Sequence, residues 1–503
     1  MSAASAVAAS ASEPTAPLPE RGGRFQPPSN PAPTGRLAAV QEMARWLRLL
    51  FETEREFVRT ATTLIYRVGE PELKYLLCQH VWEAANHARF LRERGRELSG
   101  FGTTDEVRPS LRQLFNEAVM PADATVALVG FYRVIKPALH DAYRRYLTAT
   151  HHLADWPSRK LVEEFLVDEA RHAAEIAPYL PVAASASEPT SASPVAASAS
   201  EWSAHATSVS SPVAASASEP TSASPVAASA SEWSAYLTTL LDSHGGLHSP
   251  TPPLSLSPSS APPLLSAARP YTHPPTPNRG RFPTCSSVFS HDPAETPIVR
   301  TWLIDPTTDA RVIRMMVYVW LMMELDAVDY LATVFYDTPA APFDLHHDLA
   351  RHLWDESRHS QFGYRQLPRL GVDLLTLEHS LDLYTILVQM TPPERYAMMT
   401  MEFEANSFPT KAHVMDRVRE LNDFEADTLL AFDRNDEQNH VRSGHRWLPV
   451  MMALFGETRS PEEFVTATRA RFAELAKTYG GITPHSLPPS QRLTGEKILR
   501  LIK

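Results

Sequence analysis

The stretch Leu353–Gly363, LWDESRHSQFG, sets an acidic pair, an arginine and a histidine within five positions of an otherwise helix-forming segment. An amphipathic helix buries one apolar stripe and keeps its charges on the other face, so an acid and a histidine on the stripe need a partner that offsets their desolvation. Asp-Glu occurs four times in the chain, and three times a histidine follows the glutamate by three: Glu169/His172, Glu356/His359 and Glu437/His440. With 20 histidines in 503 residues, composition alone does not produce that recurrence. Residues three apart project from one helix face, so each Glu/His pair can address the same ion.

Working outward, sliding the sequence over itself by 272 positions superposes two long helical patterns without gaps for about ninety residues. Glu52 falls on Glu324, Leu77 on Leu349, His80 on His352, Trp82 on Trp354, His87 on His359, Phe131 on Phe403 and Pro137 on Pro409. After a four-residue slip, VDEARH ending at His172 lies over NDEQNH ending at His440. The periodicity predicts four main helices per half, at 37–66, 71–98, 122–150 and 157–179, then at 309–336, 343–367, 392–418 and 421–447. Thr391, Pro392 and Glu394 make a helix-start signal, and Pro137 and Pro409 are expected to kink the third helices. The fold class expected is all-α: two four-helix bundles related by internal duplication and joined by a long disordered spacer.

The segment Pro181–Ala204 recurs word for word at Pro212–Ala235, and a shortened copy opens the chain. Such Ala/Ser/Pro/Glu repeats lack the apolar surface that offsets ordering entropy. The domain plan is therefore a disordered leader at 1–35, a first bundle at 36–180, a low-complexity spacer at 181–300, a second bundle at 301–455, and a C-terminal helix and tail at 456–503. A formal charge of −11 excludes a general nucleic-acid binder. Two cysteines, no secretory leader and no apolar run long enough to span a bilayer lead to the expectation of a cytoplasmic protein.

In the second half Val317, Leu321, Glu324, Val328 and Leu331 form one stripe, and Leu349, His352, Glu356, His359 and Gly363 another. Several carboxylates converging in a core repel one another, and divalent metals are the economical remedy. These residues resemble the ferritin-like di-iron carboxylate superfamily, in which two helices each give a glutamate and two others each give a Glu-x-x-His pair. The match runs in order through Glu324, Glu356, His359, Glu404, Glu437 and His440; 32 residues separate Glu324 from Glu356 and 33 separate Glu404 from Glu437. Glu402 competes with Glu404 for the third-helix position.

The resemblance implies that Glu356 and Glu437 bridge two iron ions, that Glu324 and His359 complete one site, and that Glu404 and His440 complete the other. Mn/Fe and Mn/Mn pairs have the same donor demand. It further implies that Asp355 and Asp436 hold the opposite histidine's free N–H, with Arg358 neutralising part of the acidic cluster. His346, His347 and His352 read as surface or supporting groups, and the methionines at 315, 316, 322, 323, 398, 399 and 401 as core filler. In the first half Glu52, His87, Glu169 and His172 survive, but Ala84 and Tyr132 stand at the positions of Glu356 and Glu404, so a dinuclear site is not expected there. Glu83 is the neighbour that could still reach in. The function implied is an O2-activating oxidoreductase, a hydroxylase or oxidase, with a small-molecule substrate that the sequence does not identify and an electron donor. An iron-binding storage protein or a non-catalytic scaffold is the alternative.

Overall fold

Helix dominates the computed structural model, which describes residues 39–181, 225–243, 245–247, 270–285, 303–480, 491 and 495–501, all within the unit Ala38–Lys503. The first half contains α1 (Val40–Ile65), α2 (Pro71–Arg96), α3 (Pro109–Ala118), α4 (Ala124–Val129), α5 (Lys136–Ala149) and α6 (Trp156–Ile176). α7 (Pro225–Ser243) follows. The second half contains α8 (Ala310–Met323), α9 (Leu325–Asp337), α10 (Phe343–Arg369), α11 (Asp382–Leu387), α12 (Pro392–Ala397), α13 (Phe408–Arg419) and α14 (Phe424–Leu454). α15 (Pro461–Tyr479) and α16 (Gly495–Leu501) close the chain. Among the described residues the strands are one parallel pair, Thr284–Cys285 with His379–Ser380.

Most of the long helices follow from glycine-poor sequence with a proline or a capping acid at the start; α1 begins on Val40 after Ala39 with neither. α2 begins on Pro71 with Glu72 in its first turn, and the Glu394 carboxylate accepts from the Thr391 backbone N–H at 2.8 Å, as the sequence signal requires. The expected third helices are not single kinked rods. A π-helical turn, Gly130–Ile135, separates α4 from α5, and another, Met398–Phe403, follows α12. A proline ring crowds the carbonyl four residues earlier, and a widened turn upstream relieves the ladder it interrupts. The expected helix over 309–336 likewise breaks at Glu324, between α8 and α9.

α1 packs along α2, α8 along α10, and across the halves α1 meets α9 and α2 meets α10. One apolar cluster therefore runs from Leu50 and Phe57 through Val328, Phe335 and Leu349 to Met451. Phe51 and Phe343 meet edge-on at 5.2 Å across this boundary. The methionines at 315, 316, 322, 323, 398 and 399 are buried, as core residues.

The spacer reading is corrected in two places. Pro225–Ser243 is a helix whose Ala230, Trp233, Leu237, Leu240 and Leu241 are buried, packed on α3, α4 and the first π turn. The repeat itself ends at Ala235, and Tyr236–Leu241 adds the leucines that give this copy an apolar stripe at helical spacing. The segment 270–285 is also built in: Arg279 is buried and ion-pairs with Asp326 and Asp329, and Lys74 Nζ lies 2.7 Å from Asp329. The leader 1–35 and the remaining spacer segments 182–224, 248–269 and 286–300 lie outside the described residues. No helix among the described residues is long and apolar enough to cross a membrane.

Candidate metal centre

Four elements of the second half deliver acids and histidines to one buried point. α10 carries His352, Glu356 and His359 at spacings of four and three, one face of a helix, and all three are buried. α14 carries Asp433, Glu437 and His440 in the same way. Glu324 sits at the break between α8 and α9, held by its N–H to Leu321 O at 3.1 Å. Glu404 follows the second π turn, its N–H reaching back five residues to Met399 O at 3.1 Å. That wider turn sends Glu404 inward, 3% exposed, while Glu402 pairs with Arg469 at the surface.

The six expected ligands all come into this region, but they do not form one symmetric set. His352, Glu356, Glu404 and His440 offer ligand atoms within 4.8 Å of one another. Glu404 Oε1 lies 2.8 Å from His352 Nε2 and 3.2 Å from His440 Nδ1, and Glu356 Oε1 lies 3.6 and 3.4 Å from the same nitrogens. The two imidazoles stack at 3.6 Å. Glu324, Glu356 and His359 form a second group, with His359 Nδ1 3.2 Å from Glu324 Oε2. Glu356 is common to both groups. Glu324 Oε2, Glu356 Oε1, Glu404 Oε2 and His359 Nδ1 are buried with no hydrogen-bond partner, a costly arrangement for a core unless a cation is bound.

Glu437 stands apart from both groups. Its Oε1 accepts from Lys411 Nζ at 2.5 Å and its Oε2 from Ser407 Oγ at 2.6 Å. Lys411 also donates to both Asp433 oxygens, at 2.7 and 2.6 Å, and its Nζ lies 3.8 Å from Glu324 Oε1. Sequence reasoning missed Lys411 and Asp433 and placed His352 outside the cluster. A helical signal existed for each: Lys411 lies two turns after Glu404, Asp433 one turn before Glu437, and His352 one turn before Glu356.

Asp355 on α10 and Asp436 on α14 each reach a histidine of the other helix. Asp355 Oδ2 lies 3.3 Å from His440 Nε2, and Asp436 Oδ2 lies 3.4 Å from His359 Nε2, so the Nδ1 atom of each ring faces the carboxylates. Arg358 donates to Asp355 and, at 2.7 Å, to Asp436; Arg351 donates to Asp355 at 2.7 Å. Burial alone would lower the pKa of His359 and His440, but the surrounding carboxylates hold both well above the ordinary value. Burial, with Asp433, Glu404 and Glu356, pushes Glu437 up to about 7 against the pull of Lys411. Burial raises Glu324 as well, whereas His352 and His440 outweigh burial to keep Glu356 well below the usual range.

The first half assembles differently. Glu52 is not at the centre: it is held by Arg48 and Arg108, each at 2.7 Å, and Glu54, two residues on, takes the inward position with His87 Nδ1 at 3.1 Å. Glu54, His87 and Glu169 are within ligand reach of one another, but Lys136 Nζ sits 2.5 Å from Glu169 and 4.0 Å from Glu54. His172 Nε2 meets Glu83 at 2.5 Å and lies beside His80, which donates to or accepts from Tyr132 at 2.8 Å. An ammonium and hydrogen bonds thus hold most of the acids and histidines of this half, while Glu54 Oε2 and His172 Nδ1 are buried with no hydrogen-bond partner.

Residues 305–485 match the model of a family described as a protein of unknown function (DUF455). This span contains every residue of the second-half cluster and none of the first half. No curated protein and no solved structure matches the chain.

Proposed function

We propose that the chain is a ferritin-like di-iron carboxylate oxidoreductase, a hydroxylase or oxidase, built from two copies of one helical unit of which the second keeps the metal centre. The observation that carries this reading is the buried convergence of His352, Glu356, Glu404 and His440 beside Glu324 and His359, with carboxylate oxygens that have no other partner. The duplication is supported by His80, His87 and His172 lying in the first half where the register puts His352, His359 and His440, and by a π turn ahead of both Pro137 and Pro409.

Glu324, Glu356, His359, Glu404 and His440 would hold the ions, with Glu356 shared, and Glu437 would join on leaving Lys411. A bound ferrous pair would supply the electrons that reduce O2. The chain's own part is positional and electrostatic. Asp355 and Asp436 hold the outer nitrogens of His440 and His359, which turns each Nδ1 to the centre. Arg358 ties those two acids together and keeps their charge off the centre. Asp433 and Lys411 cancel one another, so the four glutamates balance two divalent ions in a core that excludes water. A substrate and an electron donor belong to this reading.

The test is anaerobic reconstitution with Fe(II) followed by mixing with O2 under stopped-flow absorption, with Mössbauer spectra of frozen samples. Conversion to a coupled diferric centre supports the proposal, and iron that stays ferrous for hours in air overturns it.

A further inference from the structure

The cluster contains a histidine, an aspartate and a lysine beyond the expected ligands, and they are distributed unevenly. Around His352, Glu356, Glu404 and His440 no lysine or arginine intervenes, and Glu356 Oε1 and Glu404 Oε2 have no hydrogen-bond partner. At the other end, Glu324, Asp433 and Glu437 are also within ligand reach, but Lys411 Nζ stands among them. Both oxygens of Glu437 are taken, by Lys411 and Ser407, which leaves Glu324 Oε2, Glu356 Oε1 and His359 Nδ1 for a second ion.

We infer that the two metal positions are unequal and fill in order: the first ion enters His352/Glu356/Glu404/His440, and the second binds only by drawing Glu437 away from Lys411. This rests on the metal-centre reading above. Charge does not exclude the second ion, because Lys411 cancels one of the five buried carboxylates and two divalent cations cancel the other four. The cost is the ammonium–carboxylate hydrogen bond that must be broken, and losing a charge-assisted bond of this kind weakens binding by ~10-fold or more. The first half shows the same device carried to completion: Lys136, at 2.5 Å from Glu169, is the cation among Glu54, His87 and Glu169. His352 becomes a ligand of the first ion and is no longer a supporting group.

The experiment is a titration of the metal-free full chain with Mn(II), followed by electron paramagnetic resonance and by competition with a chromophoric chelator. The first equivalent should give an uncoupled mononuclear signal, and a second should bind ~10-fold or more weakly and convert it to an exchange-coupled pair. Lys411→Met combined with Asp433→Asn preserves net charge and releases Glu437, so the second affinity should rise ~10-fold toward the first. His352→Gln should weaken the first ion. A coupled signal from the first substoichiometric addition overturns the ordering, as does a double variant that folds, by circular dichroism, with an unchanged second affinity. The wild-type titration decides the ordering even where a variant fails to fold. No Mn(II) bound by the wild-type chain would overturn the metal centre itself, whereas two equal, coupled ions would remove only the ordering.

Discussion

Glu356 and Glu169 each open a Glu-x-x-His pair, one in each half, yet removing them should have opposite consequences. Glu356→Ala deletes the carboxylate common to both ligand groups and should remove most bound metal, read by elemental analysis of the reconstituted chain. Glu169→Ala should leave metal content unchanged. It leaves Lys136 buried with Glu54 only at 4.0 Å, and an uncompensated buried charge should cost about 3 kcal/mol in urea unfolding. His87 gives the first half a pH signature. Burial would lower its pKa, but hydrogen bonds to Asp168 and Glu54 raise it to about 9 from 6.5. A raised histidine adds stability that is complete below the unfolded pKa, near 6.5, and is lost as pH rises through about 9. The unfolding free energy should therefore fall by up to about 3 kcal/mol across that window, and His87→Gln should flatten the slope.

Among the elements, α7 is the one that composition concealed. A Cβ at Gly130 would lie 2.6 Å from Leu237 Cδ1 and 2.8 Å from Trp233 Nε1, so α7 sits directly on the first π turn. Trp233→Ala should cost about 3–5 kcal/mol, seen as a lower midpoint in thermal or urea unfolding. Deleting 182–224, which carries the other repeat copy without a following leucine stripe, should leave that midpoint unchanged; deleting 225–247 should not. The same contrast separates helices that periodicity announces from those it does not. α2 and α10 are long and regular, whereas the break at Glu324, the π turn before Glu404 and the π turn that contains Tyr132 are departures from period 3.6. Those departures aim Glu404 inward and leave Glu402 at the surface.

Across the whole molecule the halves share a core and a buried charge network. Lys74 comes from α2, Arg279 from the segment between the halves, and Asp326 and Asp329 from α9. Asp329→Ala would strand Lys74 and leave Arg279 with Asp326 alone, and should destabilise by about 3–5 kcal/mol. Because the network and the Phe51–Phe343 contact cross the boundary, circular dichroism and calorimetry should show the halves unfolding in one transition. Two resolved transitions would mean that the shared core does not couple them.

The sequence by itself determined the helical class, the positions of α1, α2, α6, α10 and α14, and the concentration of paired acids and histidines in the second half, because helical periodicity and i, i+3 spacing are local properties of a chain. Asp355 and Asp436 were singled out only through the resemblance, each standing one residue before its glutamate. Tertiary structure alone decided which acids have cations of their own. Lys411 against Glu437, Lys136 against Glu169, and Glu54 in place of Glu52 are pairings between helices far apart in sequence, set by how those helices pack. The folding of Pro225–Ser243 was decided there too: a marginal apolar stripe becomes a helix only when α3 and α4 present the face that buries it.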